Sequence, residues 1–148
     1  MNQVRIVAHV KRGPDEVYGM LSDFKSYPNY GGAIISVDVE PTEDGCAKVT
    51  WQAKLRDGVL SWTEKDRFDP EARTIRFEQV EGDLEVFEGT WQVETEGDGS
   101  RVSFSANFEL GIPSLATFLG PVAGQALQEN IQSVLTGFFG DQISFSDD

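Results

Sequence analysis

The chain has 148 residues, enough for one domain with a sizeable core. Acids outnumber bases 25 to 12 and the formal net charge is −13, a balance that repels nucleic-acid phosphates and anionic membrane surfaces and otherwise favours solubility. With one cysteine, Cys46, and one histidine, His9, neither an internal disulfide nor Cys/His zinc spacing can be built.

Met1 to Lys11 has no long apolar core and no cleavage site. No run approaches the roughly 20 apolar residues of a membrane span, so a cytoplasmic protein is expected. Val4, Ile6, Ala8 and Val10 alternate with polar residues, the pattern of a half-buried strand. Gly13-Pro14-Asp15-Glu16 opens a helix, with proline at the first helical position and acids in the first turn. Val17, Met20, Leu21 and Phe24 give that helix one apolar face. Pro28 disfavours a helical Tyr27, so the helix ends before it. Tyr27 and Tyr30, followed by Gly31-Gly32, are expected at the lip of a cavity.

From Ile34 to Leu110 the period is two. Ile35, Val37 and Val39 mark one strand, and Val49, Trp51, Ala53 and Leu55 the next. Asp57-Gly58 is a hairpin signal, and Val59 to Phe68 the return strand. Cys46 is placed in a polar turn after Asp44-Gly45. Ile75 and Phe77 share a face, as do Phe87, Gly89, Trp91 and Val93. Gly89, opposite large rings, is expected to leave room inside the sheet. Val102 to Leu110 is the cleanest amphipathic strand, and it turns Asn107 outward.

Gly111-Ile112-Pro113-Ser114 stops that strand, and Ser114 has the chemistry of a helix cap. Leu115, Phe118 and Leu119 suggest a helical turn interrupted at Gly120-Pro121. From Val122 to Phe139 the spacing is helical, with Leu127, Ile131, Val134, Leu135 and Phe138 on one side. Gln142 to Asp148 reads as a frayed acidic end. One helix cannot cover the inner face of so large a sheet, so the sheet curls around it or a space remains. A space walled by Trp51, Trp62, Phe77, Phe87, Trp91 and Phe104 is a small-molecule pocket by default. Core packing alone would account for the same rings.

This order of elements resembles the START/polyketide cyclase superfamily, the α+β helix-grip fold, over about Val4 to Phe139. The segments that carry the resemblance are Val17-Tyr18-Gly19-Met20-Leu21-Ser22-Asp23-Phe24 with Tyr27-Pro28, and Ile35-Ser36-Val37-Asp38-Val39. Ile75-Arg76-Phe77, Phe87-Glu88-Gly89-Thr90-Trp91 and Asn130-Ile131 also fit. The resemblance implies a curved antiparallel sheet of about seven strands wrapped on a long C-terminal helix, with an internal cavity. It implies no cofactor and no metal. Its members include aromatase/cyclases, coenzyme Q-binding proteins and lipid carriers.

In the aromatase/cyclase branch a cavity arginine steers aldol cyclisation and dehydration, and Arg67 is the matching position. The chain departs from that pattern in two ways. Trp62 and Arg67 are five apart, so strict alternation puts them on opposite faces. Either a bulge returns Arg67 to the cavity, or Glu64 and Asp66 point inward with Trp62 instead. A cavity tyrosine expected beyond Pro28 is also missing, with Ile34 near its place and Tyr30 as the substitute.

Ring closure in a poly-β-ketone needs a folded chain, a polarised carbonyl and a proton acceptor. Arg67 with Glu64 or Asp66 supplies such a set, the guanidinium for the oxyanion and a buried carboxylate for the proton. A solvated strand edge of ordinary surface pairs accounts for the same run of charges. Asn130 lies between Leu127 and Ile131, placed either to meet a ligand oxygen or at the helix flank. The expected function is a cofactor-independent polyketide cyclase acting on a hydrophobic, oxygen-bearing substrate, with an acyl carrier protein as partner in a polyketide pathway. The alternatives are a non-catalytic carrier of a lipid, isoprenoid or quinone, and an adaptor module.

Overall fold

The computed structural model describes residues 2–30, 32–43, 45–55, 58–110 and 113–146, without the side chains of 55, 110 and 113–121. Strand β1 (Asn2–Val10) leads into helix α1 (Pro14–Ser22), which starts on Pro14 with Asp15 and Glu16 in its first turn. A 3-10 turn, Phe24–Asn29, follows and holds Pro28. Tyr27 therefore lies in a tight helical turn, not in an open loop, and is buried.

Six strands then form a meander: β2 (Ile34–Pro41), β3 (Cys46–Leu55), β4 (Gly58–Asp69), β5 (Thr74–Gly82), β6 (Leu84–Glu96) and β7 (Gly99–Leu110). Arg56 and Asp57, the expected hairpin tip, lie outside the described residues, but Leu55 pairs Gly58 across it. Helix α2 (Pro113–Phe139) is continuous through Gly120-Pro121, where an interruption was expected. The capping role of Ser114 and the packing of Leu115, Phe118 and Leu119 lie outside the described side chains. The expected frayed end is instead structured up to Ser146. A 3-10 turn (Gly140–Gln142) reverses the chain, and β8 (Ile143–Ser146) pairs antiparallel with β1, Val10 facing Ile143.

The sheet order is β2-β3-β4-β5-β6-β7-β1-β8, eight strands where about seven are expected. Period-two alternation puts Val4, Ile6, Ala8, Val102, Phe104, Phe108, Val93 and Ile75 on one buried face. Leu127, Val134, Leu135 and Phe138 of α2 are buried in the same core, with Ile131 half-buried. Cys46 is buried as the first residue of β3, not set in a polar turn. Among the described residues no helix is long and apolar enough to cross a membrane.

Candidate active site in the cavity

Strand β4 decides the chemistry of the cavity. Thr63 pairs Glu81 and Glu64 pairs Gln79, so the extra residue at that irregularity is Val80, on β5. A bulge on the partner strand leaves the alternation of β4 intact. Trp62, Glu64 and Asp66 are buried, while Lys65 and Arg67 are exposed. Arg67, expected as the oxyanion-stabilising cation, therefore stands on the outer face opposite Arg76 and is no part of the cavity. Gly82 keeps this edge close: a Cβ there would lie 2.5 Å from the Trp62 Cα, and its φ of +146° suits glycine.

Glu64 is 4% exposed, and its Oε1 accepts a 2.8 Å hydrogen bond from the Trp62 indole Nε1–H. Burial pushes its carboxyl up, while its polar neighbours Asp66, Trp62 and Trp51 pull it down. Asp66 is fully buried and, among the described residues, neither of its oxygens has a hydrogen-bond partner. Burial first, then its contact with Glu64 and the charge of that neighbour, push Asp66 up to about 11. Two adjacent buried carboxyls cannot both ionise. Asp66 keeps a proton and Glu64 carries whatever charge the pair holds. The Tyr27 hydroxyl donates to the Leu21 carbonyl at 2.7 Å, and burial first, then the charge that the neighbouring Asp66–Glu64 pair holds, keeps it protonated.

Around this pair the expected aromatic wall assembles. Trp51 stacks on Trp62 at 6.4 Å, Phe87 meets Trp62 edge-on at 5.5 Å, and Phe77 packs on Phe87 at 5.1 Å. Phe104 lies 5.8 Å from Phe77 and 4.6 Å from Trp91, and Tyr27 lies 5.3 Å from Trp51. These rings enclose a hollow of about 80 Å³, which Glu64 and Asn130 also line. Ligand pockets for drug-sized molecules are commonly about 300–1,000 Å³, so the rings fill most of the space between sheet and helix. Gly89 opens no room, because the Phe77 ring lies over it: a Cβ at Gly89 would meet Phe77 Cζ at 2.6 Å.

Two expected ligand contacts have other employment. The Tyr30 ring sits 4.6 Å from Phe138 and its Cβ is pressed against Gly137, so it clamps α2 and does not line the hollow. The Asn130 amide reaches the hollow but donates at 2.7 Å to the Lys54 carbonyl, tying α2 to β3. Phe24, Ile34, Ala53, Leu127 and Val134 complete the lining. Strand or helix periodicity marks several of them as apolar-face residues, but nothing local distinguishes a cavity wall from core.

The arrangement offers one carboxylate, backed by one neutral acid, in an aromatic box. It suits a ligand with a hydrogen-bond donor or an acidic C–H, and it repels an anion. His9 is bound to Glu96 at 2.6 Å on β1, and Cys46 lies on β3, across four intervening strands, so the two form no nucleophilic pair. Among the described residues no group of three His, Cys, Asp or Glu side chains is placed to hold a metal ion.

A family profile described as polyketide cyclase/dehydrase and lipid transport matches residues 10–135. The crystal structure of TTHA0849 from Thermus thermophilus superposes with a TM-score of 0.84 at 30% identity, covering 91% of this chain and 92% of that one. The Zhui aromatase/cyclase from Streptomyces sp. R1128 shares the fold at a TM-score of 0.82 and 16% identity, over 95% and 92% of the two chains. A START superfamily protein from Mycobacterium smegmatis does so at 0.81 and 17%, over 95% and 99%. No curated protein sequence matches the chain.

Proposed function

Because the chain belongs to the polyketide cyclase/dehydrase and lipid transport family, we propose that it binds a hydrophobic, oxygen-bearing small molecule between sheet and helix and promotes its aldol cyclisation and dehydration. The observation that carries this reading is Glu64, a buried carboxylate on the wall of an aromatic hollow. In the reaction its oxygen takes the proton from a carbon next to a ketone. The resulting enolate carbon bonds to a second carbonyl carbon, and the proton returns to the new alkoxide. Loss of water then follows. Asp66 stays protonated throughout and acts through Glu64, limiting how basic it becomes. The hollow of about 80 Å³ must widen by movement of the rings or of α2 to admit such a substrate, after which the rings hold the chain folded and exclude water. A substrate delivered as a thioester brings an acyl carrier protein as partner, in a cytoplasmic setting.

A second reading, a carrier of a lipid, isoprenoid or quinone, draws support from one specific observation. Among the described residues no cation lines the hollow, so an enolate oxygen would find no positive charge there. One pair of variants separates the readings. With a poly-β-ketone thioester as substrate, ring-closed product measured by mass spectrometry should survive Arg67→Ala and fall at least about a hundredfold in Glu64→Gln. Product formation unchanged in Glu64→Gln would defeat the catalytic reading. An apolar molecule that travels with both variants in native mass spectrometry, with no turnover in wild type, would establish the carrier.

A further inference from the structure

The outer face of the sheet bears a second, larger hollow of about 920 Å³. Its floor is ordered by strand register. Arg67 faces Arg76, Arg76 faces Thr90, Thr90 faces Ser105, and Ser105 faces Arg5. One row across β4, β5, β6, β7 and β1 thus reads cation, cation, hydroxyl, hydroxyl, cation. At about 4.8 Å per strand it spans roughly 19 Å.

Like charges directly opposite each other in a ladder repel. Here no direct contact relieves the repulsion: among the described residues Arg5, Arg67 and Arg76 have no ion-pair or hydrogen-bond partner, and Glu43, Glu78 and Glu88 act on them only from a distance. That is unexpected where acids outnumber bases two to one. Lys65, also at this hollow, is neutralised by Glu43 at 2.8 Å. The next row of the ladder holds Lys65, Glu78, Glu88, Asn107 and Gln3. Its two glutamates line the same hollow and leave the arginine row as its positive side.

We propose that Arg67 and Arg76, with the Thr90 hydroxyl, form a binding site for the phosphate group of a small phosphate ester or diphosphate. Two guanidinium forks held side by side present paired N–H donors to the oxygens of one phosphate, and the bound charge removes their mutual repulsion. Arg5, at the far end of the row, takes a second anionic group of a longer ligand. The site is on the opposite face of the sheet from Glu64 and does not depend on what the cavity does.

The test uses the full chain and pyrophosphate, followed by calorimetry at low salt. One saturable site is expected, weakened at least about tenfold by Arg67→Ala or by Arg76→Ala. Binding should be lost in R67E/R76E and unchanged in Lys48→Ala, an exposed residue of β3. Both arginines are exposed, and circular dichroism confirms that the variants fold. Amide shifts of Thr90 and Ser105 on titration locate the site independently. Failure of pyrophosphate to saturate, or equal binding by R67E/R76E, overturns the proposal. So does binding to phosphatidic acid vesicles without binding to pyrophosphate, since that outcome assigns the face to a membrane.

Discussion

The Trp62 indole donates its only N–H to Glu64, two residues further along the same inward face of β4, at 2.8 Å. A tryptophan nitrogen is a donor only, so this bond favours the ionised form of its partner. It pulls the Glu64 carboxyl down while burial pushes it up. Trp62 is therefore both cavity wall and a control on the basicity of the Glu64 carboxyl that lines the hollow.

Trp62→Phe keeps most of the ring and removes the donor. The Glu64 carboxyl should then titrate at a higher pH than in wild type. Carboxyl carbon chemical shifts followed by NMR across a pH series give the answer. A titration unmoved by the substitution means that the bond does not tune Glu64.

Asp66 predicts a pH dependence of stability with a definite sign. Its folded-state carboxyl is raised to about 11, against about 3.9 in an unfolded chain. Below the lower value both states hold the proton. Between the two, only the folded state holds it, so deprotonation favours the unfolded chain and stability falls as pH rises. Wild type should lose melting temperature steadily from about pH 5 to pH 9. Asp66→Asn, which cannot ionise, should lose less and be the more stable protein at pH 9. Each kcal/mol regained is worth roughly 2–4 °C at this size. Thermal unfolding by circular dichroism at several pH values measures the difference. Parallel curves for the two proteins would contradict the burial of a protonated acid.

Much of this arrangement can be read from residue order. Alternation from Ile34 to Leu110 sets which side chains face inward, and Trp62, Glu64 and Asp66 follow from it without any fold knowledge. Choosing between them and Arg67 requires the location of a bulge. That location depends on strand pairing, and here the extra residue, Val80, belongs to the neighbouring strand. The size of the hollow is equally illegible, because Phe77 folding over Gly89 is a cross-strand event. Strand β8 escapes notice for a related reason. Four residues carry too little period to declare a strand, and β1 supplies the edge that orders them.

Asn130 separates structural from ligand-directed polarity. Its amide N–H₂ donates to the Lys54 carbonyl at 2.7 Å, so the side chain fastens α2 across the open side of the sheet. Asn130→Asp removes the donor and sets a carboxylate against a carbonyl oxygen. A loss of about 1–3 kcal/mol is expected, read as a lower midpoint in urea. Asn130→Ser, with a shorter reach, should fall between the two. Stability unaffected by Asn130→Asp would free the amide for a ligand role.

Gly89 and Gly19 make a paired prediction in which the same substitution acts with opposite signs. A Cβ at Gly89 would stand 2.2 Å from the Ser105 carbonyl oxygen, 2.6 Å from Phe77 Cζ and 2.9 Å from the Ala106 Cα. Two of these are backbone atoms in a paired ladder, which cannot withdraw as a side chain does. Gly89→Ala should therefore cost at least about 1–3 kcal/mol, the range of core overpacking. Shortening the ring with Phe77→Leu should not restore it, because the backbone clash remains. At Gly19, inside α1, a Cβ meets nothing within 4 Å. Gly19→Ala should stabilise by about 0.4–1 kcal/mol, chiefly by restricting the unfolded chain. Urea denaturation of the two single variants, with the slope checked for constancy, tests both signs. A Gly89→Ala protein as stable as wild type would mean that β6 and β7 do not pack as closely as this register requires.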